Sequence, residues 1–202
     1  MKYLLKTLTL STLMAISTQA SSAATDPAAE THPRILMETS MGNIVLELDR
    51  AKAPKSVDNF VQYVQDGFYD GTIFHRVIKD FMAQGGGFTP DFAQKPTRAM
   101  VTNEADNGLK NVRGSIAMAR TNDPHSATAQ FFINTVDNDF LNFSAPTARG
   151  WGYTVFGKVV EGMDVIDKIR TTPTGSGGPF PTDVPKTPVM IKKASMVVAK
   201  AK

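Results

Sequence analysis

Residues 34–198 are cut into short runs of alternating apolar and polar side chains by Gly, Pro, Asn and Asp, with helical spacing in only two stretches. Residues 35–39 and 44–48 read as strands of a hairpin joined by Ser40-Met41-Gly42-Asn43, whose Gly and Asn tolerate positive φ. Pro54 then opens a segment in which Val57, Phe60, Val61 and Val64 fall at i, i+3, i+4 and i+7, and Gly67 stops it. Strand candidates follow at 71–78, 81–85, 114–120, 130–135 and 153–160, divided by turn-forming residues. A second helix fits within 161–169, where Met163, Ile166 and Ile169 share a face and Pro173 bars a long continuation. Residues 171–188, rich in Pro and Gly, read as a loop before a last strand over 189–198. Many short strands without regular strand–helix alternation predict a mainly β fold, a closed antiparallel barrel capped by two helices.

With 202 residues, 42% of them hydrophobic, the chain is long enough for one domain with a sizeable core and too short for two ordinary ones. Lys2 and Lys6 bracket the start of an apolar run through Leu4, Leu8, Leu10, Leu13 and Ile16, and Ser21-Ser22-Ala23-Ala24 supplies small residues for cleavage. Residues 1–24 therefore read as a secretory signal peptide. The run is too short and too often broken by Thr and Ser for a stable membrane anchor. Residues 25–33 read as a flexible lead-in, and 34–202 as the folded domain. Loss of Lys2 and Lys6 lowers the basic count from 22 to 20 against 19 acids, leaving a formal +1. Such a surface gives no support for nucleic-acid binding, which needs clustered Lys and Arg. The chain has no Cys, so thiol exchange is excluded and the fold stands on its core alone.

The chemistry must also do without a nucleophile. His32, His75 and His125 are too scattered for a metal cluster or a nucleophile–base pair, and no Gly-rich loop is followed by Lys-Ser or Lys-Thr. What remains is Phe74-His75-Arg76-Val77-Ile78 followed by Phe81-Met82-Ala83-Gln84-Gly85-Gly86-Gly87, one arginine among aromatic and sulfur-containing side chains. In Gln130-Phe131-Phe132-Ile133, strand alternation sends Phe131 and Ile133 to one side and Gln130 and Phe132 to the other. If Phe131 and Ile133 fill the barrel, Phe132 lies outside it beside Met82, an apolar surface patch of the kind that marks a binding site. Ala119, opposite in parity to Met118, leaves room for a ring there. Gln84 offers a donor and an acceptor to a peptide backbone. These features predict a groove for an extended, proline-containing peptide.

Those segments, with Met118-Ala119-Arg120 and Val155-Phe156-Gly157-Lys158-Val159, occur in the order found in cyclophilin-type peptidyl-prolyl cis-trans isomerases, which the chain resembles over nearly all of residues 34–198. The N-terminal leader and Asn103-Glu104-Ala105-Asp106-Asn107-Gly108-Leu109 make it similar to the periplasmic bacterial branch. The resemblance implies an eight-stranded antiparallel barrel with two helices and a proline site on its outer surface, needing no cofactor or metal. It implies Arg76 as the catalytic residue, Phe81, Met82, Phe132 and Leu141 around the prolyl ring, and Gln84, Ala119 and Gln130 beside the peptide backbone. Phe140 stands where the eukaryotic pattern has Trp, Tyr153 where it has His, and Arg120 where it has Asn; all three are included in the binding set. Phe140 lacks an indole N–H, so weak binding of cyclosporin, the family's cyclic-peptide inhibitor, is expected. Residues 142–152 read as an insertion beside Leu141.

The expected activity is rotation about X-Pro bonds of unfolded or extended polypeptides exported to the periplasm, by a monomeric protein. A proline-peptide-binding holdase chaperone that needs no turnover is the competing reading. Alone, Arg76 also fits a surface ion pair. His75, opposite to it in parity, fits a structural histidine, His125 an exposed loop residue, and Gly85–Gly87 a tight bend.

Overall fold

The computed structural model describes residues 31–197; the expected signal peptide, and all of the expected lead-in before residue 31, lie outside them. Strands β1 (Arg34–Thr39) and β2 (Gly42–Leu48) form the predicted hairpin, in which Ile35, Met37, Ile44, Leu46 and Leu48 alternate inward and are fully buried. The Thr39 hydroxyl donates to the Gly42 carbonyl at 2.6 Å and accepts the Met41 N–H at 3.1 Å, and Gly42 takes φ +132° in this turn.

Helix α1 (Pro54–Gln65) starts with proline, whose missing N–H costs nothing at a helix start, and buries Val57, Phe60, Val61, Tyr63 and Val64. Its cap comes from a distant residue. The Glu104 carboxylate accepts the Lys55 and Ser56 N–H groups at 3.0 and 2.9 Å and the Ser56 hydroxyl at 2.8 Å, placing negative charge at the helix N-terminus.

Six strands carry the rest of the main sheet: β3 (Arg76–Ile78), β4 (Met82–Gly85), β5 (Ser115–Met118), β6 (Phe131–Asn134), β7 (Val155–Glu161) and, at the chain's end, β10 (Ile191–Met196). All pairings are antiparallel, in the order β10-β1-β2-β7-β5-β6-β4-β3. Helix α2 (Met163–Arg170) follows β7 and buries Val165, Ile166 and Ile169. The inward side chains of the sheet and both helices form one core around the rings of Phe60, Tyr69, Phe131 and Phe156, with centroids of Phe60 lying 4.9 to 5.6 Å from the other three.

Two expectations are corrected. The sheet is an open half-barrel rather than a closed barrel. Of the expected strand over 71–78 only three residues form a ladder, because residues 71–74 bond in turn to separate segments: Ile73 N–H to Phe88 and Phe74 N–H to Val189, each at 2.9 Å. The two edges of the sheet meet through the segment that precedes β3 and the start of β10: Ile73 bridges Met190, the Gly71 N–H bonds the Ile191 carbonyl at 2.9 Å and the Ile191 N–H bonds the Thr72 carbonyl at 2.8 Å. The expected loop over 171–188 contains a two-stranded hairpin, β8 (Thr174–Gly177) and β9 (Phe180–Pro185), which form a separate sheet. Its prolines are compatible with this because an isolated pair leaves one edge of each strand unpaired.

Candidate active site

Antiparallel register brings five residues into one row across the outer face: Arg76 on β3, Gln84 on β4, Phe132 on β6, Ala117 on β5 and Val155 on β7, each the cross-strand partner of the next. Residues one position away along these strands, Val77, Ala83, Ile133 and Ile116, point into the main core. The parity expected for Phe131 and Phe132 therefore holds. Phe131 is surrounded by Phe60, Tyr69 and Phe74, whereas Phe132 belongs to a second apolar cluster with Met82, Ala117, Leu141 and Val155.

This second cluster is recessed rather than the exposed patch expected. Phe132 is only 4% exposed, and Ile78, Phe81, Leu109, Ala119 and Tyr153 are partly buried against the cluster. Ala117, fully buried, and Ala119 are its small members, while Met118 between them turns into the main core. The result is a notch with small side chains among larger ones. Phe140 stands at its rim, 74% exposed and stacked on Phe81 with centroids 5.6 Å apart. The Tyr153 ring meets Phe132 edge-on at 5.6 Å.

The polar groups sit around this notch. Gln84 donates through Nε2 to Oε1 of Gln130 at 3.0 Å, tying the two amides together. A Cβ at Gly87 would lie 2.6 Å from Gln130 Cγ, so glycine there lets the Gln130 side chain cross the backbone. Arg76 is 40% exposed, its Cζ 5.9 Å from the Phe81 ring centroid and its Nε 3.9 Å from Asp183 Oδ2 on β9. Arg120 is more firmly held: Nε donates to the Gly152 carbonyl and Nη1 to the Thr121 carbonyl, both at 2.8 Å, with Cζ 4.5 Å from the Tyr153 ring centroid. Two of its donors are thus committed to the wall of the site.

All eleven candidates, Arg76, Phe81, Met82, Gln84, Ala119, Arg120, Gln130, Phe132, Phe140, Leu141 and Tyr153, come together on this one face. The expected insertion folds over residues 142–152 as a compact loop. Its base is closed by the Tyr153 N–H to the Leu141 carbonyl at 2.9 Å, and Trp151 packs on Phe143 and His125.

Sequence reasoning missed the supports. Asn138 Nδ2 donates to the Phe81 carbonyl at 2.8 Å and to Asn134 Oδ1 at 2.7 Å, and Asn134 Nδ2 donates to Ser115 Oγ at 2.8 Å. Asn111 Nδ2 reaches the Leu141 carbonyl at 3.2 Å. These buried amides fix the backbone of two notch residues, yet in sequence Asn111 and Asn138 resemble ordinary loop asparagines and Asn134 an ordinary strand end.

His75 is buried at 2% exposure between Phe88 and Phe180, with centroids 4.7 and 5.3 Å away. Its Nδ1 is the one buried side-chain polar atom among the described residues without a hydrogen-bond partner. Burial, reinforced by the Arg76 charge and partly offset by the Ile73 backbone, lowers its pKa to about 4. The residue is neutral and buried, in keeping with the structural histidine expected. His125 is exposed as expected, although its Nδ1 accepts the Asn103 N–H at 3.1 Å.

Comparison with known proteins bears on what such a site does. Residues 34–196 match the family model described as cyclophilin type peptidyl-prolyl cis-trans isomerase/CLD. The peptidyl-prolyl cis-trans isomerase cyp18 of Streptomyces antibioticus is 62% identical over 161 residues, 80% of this chain and 96% of its own length. Peptidyl-prolyl cis-trans isomerase A of Dickeya dadantii is 54% identical over 187 residues, 92% of this chain and 96% of its own. Among solved structures, a cyclophilin type peptidyl-prolyl cis-trans isomerase of Cryptosporidium parvum, crystallised in the presence of the dipeptide Ala-Pro, superposes with a TM-score of 0.68 at 27% identity. The match covers 82% of this chain and 99% of that one. With the family match spanning the whole described sheet and relatives above half identity, the chain belongs to the cyclophilin-type peptidyl-prolyl cis-trans isomerases and is an enzyme of that type.

Proposed function

We propose that the chain accelerates rotation about X-Pro bonds in unfolded or extended exported polypeptides, with Arg76 polarising the prolyl amide beside the notch lined by Phe81, Met82, Phe132 and Leu141. The observation that carries this reading is the shared row: Arg76, Gln84 and Phe132 are consecutive cross-strand partners on one face. A proline ring in the notch thus lies within reach of a guanidinium and a pair of amides. The occurrence of Ala-Pro with the Cryptosporidium relative supports a proline-containing ligand.

The uncatalysed barrier is about 18 to 20 kcal/mol because resonance gives the C–N bond double-bond character. Rotation takes the prolyl nitrogen out of conjugation, so its lone pair becomes able to accept a hydrogen bond that the planar amide does not. A donor aimed at that nitrogen therefore binds the twisted state in preference to either planar isomer, which is the condition for catalysis. Arg76 suits the task because a guanidinium stays protonated at any working pH and never competes as a base. A roughly millionfold acceleration requires about 8 kcal/mol of selective stabilisation. The Phe81, Met82, Phe132 and Leu141 side chains exclude water around the ring and strengthen that one interaction. Gln84 and Gln130 hold the flanking peptide backbone, while Ala119, Arg120, Phe140 and Tyr153 form the wall on its other side. No covalent step and no cofactor enters this scheme.

Export is supported by the order of basic, apolar and small residues in 1–24. The discriminating measurement is cis–trans exchange of an X-Pro peptide by NMR. Exchange that disappears in Arg76→Ala supports the catalyst, whereas peptide binding without accelerated exchange in the parent chain supports the holdase.

A further inference from the structure

We propose that Asp183 is a positioning residue for catalysis, presented by the β8–β9 hairpin to hold the Arg76 guanidinium through Nε while Nη1 and Nη2 face the peptide. The proposal rests on the catalytic reading of Arg76 given above.

Three observations converge on it. Asp183 Oδ2 lies 3.9 Å from Arg76 Nε, and Asp183 is the carboxylate paired with Arg76 among the described residues. That separation is an ion pair but exceeds hydrogen-bond length, so a shift of about 1 Å on peptide binding completes the bond. Secondly, Asp183 adopts φ +67°, and only it and Phe92 among the described non-glycine residues have positive φ. Such a conformation is strained for an L side chain, least so for Asp and Asn, and it persists where its surroundings hold it, commonly next to a functional group. Thirdly, the hairpin is anchored. Phe180 packs on His75, Phe88 and Phe92, Val184 is buried, and the Lys186 N–H bonds the Pro173 carbonyl at 2.9 Å. Thr182 Oγ1 donates to Asp183 Oδ2 at 3.1 Å, limiting the rotation of the carboxylate.

Geometry also explains why an acceptor at Nε is useful. Nε lies on the stem of the guanidinium, so a bond there fixes the plane of the group without occupying its two terminal nitrogens. With Arg76 40% and Asp183 34% exposed, solvent screens the pair, and its effect is mainly on orientation. This places the expected loss in turnover rather than in peptide affinity.

The test measures kcat and KM by prolyl-exchange kinetics on the full domain for Asp183→Gly, Asp183→Asn and the same changes in an Arg76→Lys background. Glycine relieves the backbone cost and removes the acceptor. Asp183→Gly is expected to lower kcat about three- to tenfold at unchanged KM, with melting temperature equal to or above the parent. Asparagine tolerates the same backbone and keeps an acceptor oxygen, so Asp183→Asn recovers most of the loss. Lysine lacks Nε, and in that background the Asp183 changes have no further effect. Parental kcat in Asp183→Gly, a loss expressed in KM, no recovery in Asp183→Asn, or an undiminished loss in the Arg76→Lys background each overturns the proposal. Failure of the Arg76 reading has its own signature, Arg76→Ala turning over as fast as the parent.

Discussion

The two faces of the same strands carry two apolar clusters built to different ends. On the inner face, Phe131, Ile133, Ile116 and Ala83 join the helices in a core from which water is excluded on all sides. On the outer face, Phe132, Met82, Ala117, Leu141 and Val155 form a smaller cluster bordered by Gln84, Arg76 and the exposed ring of Phe140. Neighbouring residues 131 and 132 thus carry the same side chain on opposite faces of one strand, and both are buried. What differs is whether the apolar set closes on itself or meets ordered polar groups.

Substituting these neighbours tests that contrast most severely. Phe131→Ala should destabilise the protein by about 3 to 5 kcal/mol in denaturant unfolding while leaving the rate per folded molecule near the parent's. Equal losses of rate in Phe131→Ala and Phe132→Ala would erase the distinction. At the rim, Arg76→Ala should lower kcat/KM about 100- to 1000-fold in the exchange assay, the size expected for one transition-state donor, with the melting temperature nearly unmoved.

The third test concerns His75, next to Arg76 in sequence but facing the hairpin. Its native pKa of about 4 is depressed below the usual value of about 6.5, so the unfolded chain takes up this proton first as pH falls. The stabilising effect of the neutral ring is complete above about pH 6.5 and is lost between there and about pH 4, amounting to about 3 kcal/mol. His75→Phe should flatten that part of the stability–pH curve in urea titrations; an unchanged slope would assign the acid sensitivity elsewhere. A smaller effect is expected in Phe132→Ala, about tenfold in KM or kcat/KM for a proline peptide, through loss of the surface that receives the ring. The smallest is expected at Phe140→Trp, where a new indole N–H should tighten cyclosporin binding by up to about tenfold in calorimetry.

Much of this contrast was legible in the sequence because a strand has a period of two: once Phe131 and Ile133 are assigned inward, Phe132 must face outward. The helix of Val57, Phe60, Val61 and Val64 was equally readable from its spacing, and Pro54 and Gly67 marked its limits. Other features were not. The Asn111–Asn134–Asn138 network depends on backbone carbonyls brought together from distant segments, which no local pattern encodes. Residues 174–185 combine glycine and proline with few apolar side chains, so turn chemistry concealed a hairpin held from outside by Phe92, Phe88 and His75. Closure was over-read for a related reason, since counting strands does not reveal that the segment before Arg76 divides its hydrogen bonds between two partners.

The seam at Ile73 and Met190 has a mechanical consequence. Arg76 begins a three-residue strand that is laddered on one flank only, so local fluctuations there disturb few hydrogen bonds. Opening of this sheet margin leaves the aromatic packing around Phe131 intact, because Phe131 lies in the main core. Amide protons of β3 should accordingly exchange with deuterium sooner than those of β6.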